Sequence, residues 1–305
     1  MIHSIPDGVY PTMVTPYTDD NKIDYNAVEA LLDWYHTHGV TGVFAICQSS
    51  EIFFLSFEER LELLDFIMKH RPKDMTIVAS GHVADDRNVQ IEEAKRFIDK
   101  GIDAYVFIAN RFAAADESDD VLFERMEYAA SQLPEIGLGV YECPYPYKRV
   151  LTPELLGRMA KTGRYQFLKD TCCDIDMIRR KLKATEGSTL KIFNANSATL
   201  LASLRAGCAG FSGVMGNFHP ELYADLCACY RTDPERAEKL QAFLGFASLA
   251  ECQCYPVNAK YYLQLEGLPL NIDSRARDKK EFTPNRQAEI VQMQRLTNDF
   301  KRFVL

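Results

Sequence analysis

The sequence predicts an α/β fold, a (β/α)8 TIM barrel followed by a C-terminal helical extension, on three observations. A β-prone apolar run followed by a helical pattern recurs eight times, roughly every 20 to 35 residues. No Gly-x-Gly-x-x-Gly turn follows the first strand, as an open dinucleotide-binding sheet would require. After about residue 230 the strand pattern stops and only helical patterns follow. The 305 residues then divide into a barrel over 1–229 and a helical unit over 230–305, a size that single barrels reach.

The expected strands are Val9–Val14, Val43–Cys47, Thr76–Ser80, Ala104–Ala109, Gly137–Glu142, Tyr165–Leu168, Leu190–Phe193 and Gly210–Val214. Asp24 can cap a helix that buries Val28, Leu31, Leu32 and Tyr35 and stops at Gly39. Ser56 and Glu59 have the spacing of a capping box. A third helix carries Ile91, Ala94 and Ile98 and stops at Gly101, and a fourth begins near Asp119. Thr152-Pro153-Glu154 offers an N-cap, a proline at the first helical position and an acid in the first turn. Further helices follow Asp174, Ser197 and His219-Pro220, and the extension is read as helices over Glu235–Glu251 and Asn285–Arg302.

Composition narrows the function. With 47% hydrophobic and 26% charged residues there is ample material for a core, which excludes a disordered chain. The net charge is −8, so a chain-wide basic surface for nucleic acid or an anionic membrane is excluded. An acidic ligand must therefore be drawn in by a local site. The nine cysteines are an odd number, and Met1–Pro6 shows no targeting signal, which points to free thiols in the cytoplasm. Cys227-Ala-Cys229 and Cys252-Gln-Cys254 are spaced too tightly for the usual zinc motif, and no metal is expected.

In such a barrel the chemistry sits at the C-terminal ends of the strands. Lys169 ends the sixth strand. A lysine pointing into the barrel mouth loses hydration, its pKa falls, and its neutral amine can attack a ketone to form a Schiff base. The plainer alternative is a lysine paired with Asp170 or solvated at the rim. Tyr141 ends the fifth strand and can carry protons, unless its ring merely packs in the core. Gln48, Ser49 and Ser50, after the second strand, offer donors for a carboxylate, or form only a polar turn.

These residues carry a resemblance. The chain is similar to the dihydrodipicolinate synthase and N-acetylneuraminate lyase family of pyruvate-type class I aldolases. The likeness begins at the opening strand, Gly8 to Pro16. It continues through Cys47-Gln48-Ser49-Ser50-Glu51 and Leu55-Ser56-x-x-Glu59-Arg60, where the family has Gly-Thr-Thr-Gly-Glu or Gly-Ser-Thr-Gly-Glu and then Leu-Ser-x-x-Glu-Arg. Tyr141-x-x-Pro144, Leu168-Lys169-Asp170-Thr171, Ala206-Gly207-x-x-Gly210-Phe211-Ser212-Gly213 and the stretch Pro256 to Pro269 complete it. The resemblance implies that Lys169 forms an imine with a 2-oxo acid and needs no other cofactor. Tyr141 would shuttle protons, and Ser49 and Ser50 would hold the carboxylate. Gln48, Thr171, Gly213, Val214, Arg149 and Asn196 would complete the substrate site. A homotetramer is implied as well.

Departures from the family pattern are equally informative. Cys47 and Ser50 replace both glycines of the second-strand motif, and Gln48 replaces its first hydroxyl. Phe112 stands where the synthases have a tyrosine lent by a neighbouring subunit. Their substrate arginine falls at Pro146, leaving Lys148 or Arg149 as replacements. Ser197 and Ala198 stand where sialic acid lyases have an acidic pair. The expectation is therefore a Schiff-base lyase acting on a 2-keto-3-deoxy sugar acid, by aldol cleavage to pyruvate or by dehydration. Alternatives are dihydrodipicolinate synthase or N-acetylneuraminate lyase activity, a keto-acid sensor without catalysis, and a phosphate-binding barrel using Gly207, Gly210, Gly213 and Gly216. Asn110, Arg111, Asn194 and Ser197 are further candidates to hold a hydroxylated chain. Cys47, Cys143 and Cys172 are expected around the mouth, either lining the pocket or filling volume as inert thiols.

Overall fold

The computed structural model describes residues 4–304. Met1–His3, part of the segment read for targeting signals, and Leu305, the end of the expected extension, lie outside the described residues. Eight parallel strands run β1 Gly8–Val9, β2 Gly42–Phe44, β3 Thr76–Ala79, β4 Ala104–Ile108, β5 Gly137–Tyr141, β6 Tyr165–Asp170, β7 Lys191–Asn194 and β8 Gly210–Phe211. They pair in the order β1-β8-β7-β6-β5-β4-β3-β2. The seam between β1 and β2 is closed by Thr41 N–H donating to Val9 O at 3.1 Å and Phe44 N–H donating to Pro11 O at 2.9 Å. The sheet is thus a barrel without a free edge.

The helices between the strands are α1 Tyr25–Thr37, α2 Phe57–His70, α3 Arg87–Ile98, α4 Asp119–Ser131, α5 Pro153–Lys161, α6 Ile175–Ala184, α7 Leu200–Ala206 and α8 Pro220–Cys229. Their starts obey local chemistry. Asp24 accepts from Ala27 N–H, both bonds of the Ser56/Glu59 capping box form, and Thr152 caps α5 ahead of Pro153. Apolar faces close on one core with the strands.

Three expectations shift. β1, β2 and β8 are shorter as ladders than their apolar runs, because the chain leaves the sheet to build the mouth. The helix expected over Glu235–Glu251 is α9 Pro234–Ala247, followed by a single 3₁₀ turn at Ser248–Ala250. A further helix, α10 Val257–Leu265, precedes α11 Pro284–Val304. α10 buries Val257, Asn258, Ala259, Lys260, Tyr262 and Leu263, which surround its axis, so it shows no apolar stripe to read.

Candidate active site

β5 and β6 pair in register with Tyr141 opposite Lys169. Side chains alternate along a strand, so Phe167 and Lys169 point into the barrel while Asp170 points out. Phe167 stacks on Phe193 with centroids 4.6 Å apart, and Tyr10 meets Phe193 edge-on at 4.9 Å. This aromatic floor blocks the barrel below Lys169 and keeps the amine out of bulk water. Lys169 is 4% exposed, and its Nζ lies 4.4 Å from the Tyr141 ring centroid. Asp170 pairs instead with Lys181 on the helix side, at 2.5 Å. Among the described residues no carboxylate pairs with Lys169. Burial pulls its pKa below the usual lysine range, and the weaker pull of Cys47, Cys143 and the Glu251 and Glu142 carboxylates does not restore it.

The Tyr141 hydroxyl donates to Gln48 Oε1 at 3.3 Å. Burial, then the neighbouring Cys143 and Cys47 thiols, hold its phenol well above the ordinary value, so it is protonated at neutral pH. Gln48, which replaces the first hydroxyl of the second-strand motif, thus meets the phenol as an acceptor.

A cavity of about 590 Å³ opens over this pair. Gln48, Ser49, Tyr141, Lys169, Thr171, Asn196, Gly213 and Val214 all border it. The Ser49 hydroxyl donates to Thr12 Oγ1 at 2.9 Å. Thr171 N–H donates to Glu142 Oε2 and its hydroxyl to Glu142 O, which fixes the end of β6. Asn196 Oδ1 accepts from Thr199 N–H, leaving its amide nitrogen available.

Two expected binders are elsewhere. Ser50 is fully buried and does not border the cavity; its hydroxyl accepts from Cys47 N–H at 2.7 Å and donates to Ala45 O at 2.9 Å. It stitches the turn that a glycine would otherwise make. Arg149 is also absent from the cavity wall, held by Ala114 O, Glu117 O and Asp119 Oδ1. Lys148 does border the cavity. Asn110, Arg111, Asn194 and Ser197 likewise spend their side chains on neighbouring carbonyls, carboxylates and hydroxyls. Phe112 is buried in its own chain against His82 and Phe107.

The extension supplies what sequence reasoning missed: Glu251, Cys252, Tyr255, Ala276 and Arg277 border the same cavity. Glu51, in the left-handed region at φ 63°, pins them there. Its Oε1 meets Lys260 Nζ at 2.9 Å, and its Oε2 accepts from Arg275 N–H at 2.6 Å and Ala276 N–H at 2.8 Å. Arg275 in turn grips Glu59 with two nitrogens.

None of Cys47, Cys143 and Cys172 borders the cavity; Cys173 and Cys252 do, and both are exposed. Brief alkylation is expected to label Cys173 and Cys252 but spare Cys47 and Cys143, with pyruvate slowing the reaction at the first two. Peptide mass spectrometry reads this directly; prompt labelling of Cys47 would contradict the geometry.

Of the four glycines near β8, Gly207 ends α7 in the left-handed region at φ 117°, and packing explains the other three. A Cβ on Gly210 would lie 1.8 Å from Gly8 O, and one on Gly213 would lie 2.4 Å from the Phe211 ring. They need no phosphate to account for them.

The model of the dihydrodipicolinate synthetase family matches residues 5–277. The chain belongs to that family. It is similar to the 4-hydroxy-tetrahydrodipicolinate synthases of Natronomonas pharaonis, 23% identical over 80% of this chain and 82% of the relative, and of Ralstonia nicotianae, 24% identical over 85% and 87%. Among solved structures, the E. coli prophage protein YagE in complex with pyruvate superposes with a TM-score of 0.85 at 21% identity, covering 97% of this chain and 98% of that one. The wild-type Ruminococcus gnavus sialic acid aldolase gives 0.83 at 22% identity, covering 98% and 99%. Family members are lyases of the class I aldolase type, which work through a Schiff-base lysine and pyruvate, and this chain is an enzyme of that class. Among the described residues there is no cluster of metal-ligating side chains, and no helix is long and apolar enough to cross a membrane.

Proposed function

We propose that this lyase forms an imine between Lys169 and a 2-oxo acid and cleaves a 2-keto-3-deoxy sugar acid to pyruvate and an aldehyde. The observation that carries the reading is the environment of Lys169: buried, free of a carboxylate partner, and against the Tyr141 ring at the base of the cavity. Its lowered pKa leaves more of the amine neutral and able to attack the C2 ketone. Tyr141, protonated and beside the amine, hands a proton to the carbinolamine oxygen so that water can leave. Ser49 and the amide groups of its turn receive the substrate carboxylate. The protonated imine then accepts the electron pair of the C3–C4 bond. Lys148 and Arg277 add positive charge at the mouth of a chain whose net charge is −8.

The absence of a phenol at Phe112 and of an arginine at Pro146 disfavours the synthase reaction of the similar chains. Incubation with pyruvate followed by borohydride reduction is expected to leave a stable adduct on Lys169, seen in the intact mass. No adduct would overturn the aldolase reading. A panel of 2-keto-3-deoxy acids, assayed for pyruvate release, identifies the substrate. An adduct with none of them cleaved would point to a keto-acid sensor.

A further inference from the structure

Gln48 is the side chain through which the second-strand turn meets the reacting pair. Its Oε1 lies 3.3 Å from the Tyr141 hydroxyl and 3.4 Å from Cys143 Sγ. Burial keeps both neighbours protonated at neutral pH: the phenol stands well above its ordinary value, and the thiol is pushed up to about 11. Each has a hydrogen to give, the thiol sharing its own with Tyr145 O at 3.4 Å, so the amide turns its oxygen toward them. Oε1 is the one acceptor that the Tyr141 hydroxyl finds among the described residues. The NH2 group of the amide is left over. Nε2 donates to nothing among the described residues, and Gln48 is half-buried in the cavity wall. The turn beneath it is fixed: Gln48 O accepts from Glu51 N–H at 3.0 Å, and Cys47 N–H donates to Ser50 Oγ at 2.7 Å. The Tyr141 ring is fixed as well, edge-on to Phe44 at 5.5 Å and 4.4 Å from Lys169 Nζ. An uncommitted pair of N–H bonds thus stands beside the phenol that carries the proton.

We infer that Gln48 is a specificity-determining residue for the aldehyde half of the substrate: its Nε2 donates to the C4 oxygen of the bound 2-keto-3-deoxy acid while its Oε1 holds the Tyr141 phenol. The inference rests on the Lys169 imine proposed above. A hydroxyl in this place would accept the phenol proton and pass its own onward, whereas an amide oxygen accepts and passes nothing on. The proton that Tyr141 gives to the carbinolamine oxygen is then recovered from the substrate. In the step, the phenolate takes the C4 hydroxyl proton and C4–O becomes a carbonyl. The C3–C4 pair flows into the protonated imine, leaving a neutral enamine on Lys169. C3 takes a proton from water, and hydrolysis of the imine returns it, so the cycle closes without a net change. While the C4 proton moves, negative charge gathers on the C4 oxygen, and a fixed N–H beside the phenol stabilises it there.

Pyruvate has no C4, so its reactions separate the two ends of the amide. Gln48→Met fills the same space with neither donor nor acceptor. Borohydride trapping of pyruvate should slow by less than about 5-fold, the scale of one neutral hydrogen bond lost by the phenol. Cleavage of the 2-keto-3-deoxy acid found in the panel should fall by roughly 10²–10³-fold in kcat, with KM changing less, the scale of one donor lost from an oxygen that gathers charge. Gln48→Asn, which keeps an amide one methylene short, should recover part of the rate. A thermal midpoint near that of the wild type shows the turn intact; where Gln48→Met lowers it, Gln48→Asn carries the comparison, with cleavage again losing more than trapping. Cleavage within about 5-fold of wild type would overturn the assignment. So would trapping that falls as far as cleavage, because Gln48 would then act only through Tyr141 at the imine. Failure of the wild type to trap pyruvate would instead remove the imine reading on which this one rests.

Discussion

Lys169→Ala is expected to abolish pyruvate trapping and to lower cleavage by roughly 10³–10⁶-fold, the scale seen when a covalent nucleophile is removed. Lys169→Arg should be no better, because a guanidinium keeps the charge and lacks a neutral amine. In the wild type, the trapping rate should rise with pH through a limb that lies below the ordinary lysine value of 10.5, since only the deprotonated amine attacks and burial pulls its pKa down. The same burial makes the residue a burden on the fold. Its pKa is lower folded than unfolded, so between the two values the unfolded chain binds more protons and stability rises with pH. Lys169→Met, which fills the space without an ammonium, should therefore gain about 1–3 kcal/mol at neutral pH. That gain should shrink as pH climbs through the same limb, because the wild-type amine is then neutral. An inactive variant with a higher urea midpoint would show that the charge is kept for chemistry. A lower midpoint would mean that the amine contributes a contact the fold needs.

Lys169 and Tyr141 were legible in the sequence because each ends a short buried run, and the barrel topology sets neighbouring strand ends side by side. The helix starts were legible for a related reason: Asp24, Ser56 and Thr152 act on backbone only two or three residues away. Glu251 and Arg277 were not legible. They reach the cavity because Glu51, Lys260 and Arg275 tie the extension across the mouth, and nothing within a window of sequence records that tie. Lys260 belongs to the stretch that carries the resemblance, but its burial and its pairing with Glu51 appear only in the structure. Ser50 and Arg149 misled in the opposite direction. Their chemistry suits a carboxylate, but a turn and a loop with unmet backbone groups already consume it. The thiols followed suit: Cys47 and Cys143 lie at strand ends as expected, packed beneath the mouth, while Cys173 and Cys252 stand in its wall.

Lys181→Met is expected to lower stability by about 3–5 kcal/mol near neutral pH, the cost of breaking a buried ion pair. The lysine is fully buried on α6, with Nζ 2.5 Å from both Glu142 Oε1 and Asp170 Oδ2. Burial alone would lower its pKa, but the two carboxylates together raise it. Its contribution is therefore complete below 10.5 and is lost only as pH rises through the higher folded value. Glu142 is pushed up by burial and then by Asp170, so the folded chain holds its proton to a higher pH than the unfolded chain does. Acidification should therefore relieve the variant, which is left with two buried carboxylates and no cation. Its deficit should be larger at pH 8 than at pH 5, and Lys181→Met with Glu142→Gln should recover part of the loss. Urea midpoints at the two pH values test this, and equal midpoints for wild type and variant would rule it out. The consequence reaches the active site through strand alternation. Glu142 follows Tyr141, Asp170 follows Lys169, and the two acids point outward to one lysine while their neighbours point inward to one cavity. The tie therefore clamps the ends of β5 and β6 on the outer side and sets the distance between phenol and amine on the inner side. Where Lys181→Met remains folded, the rate of pyruvate trapping should fall more than the affinity for pyruvate, since the pocket donors stay in place while the reacting pair loosens.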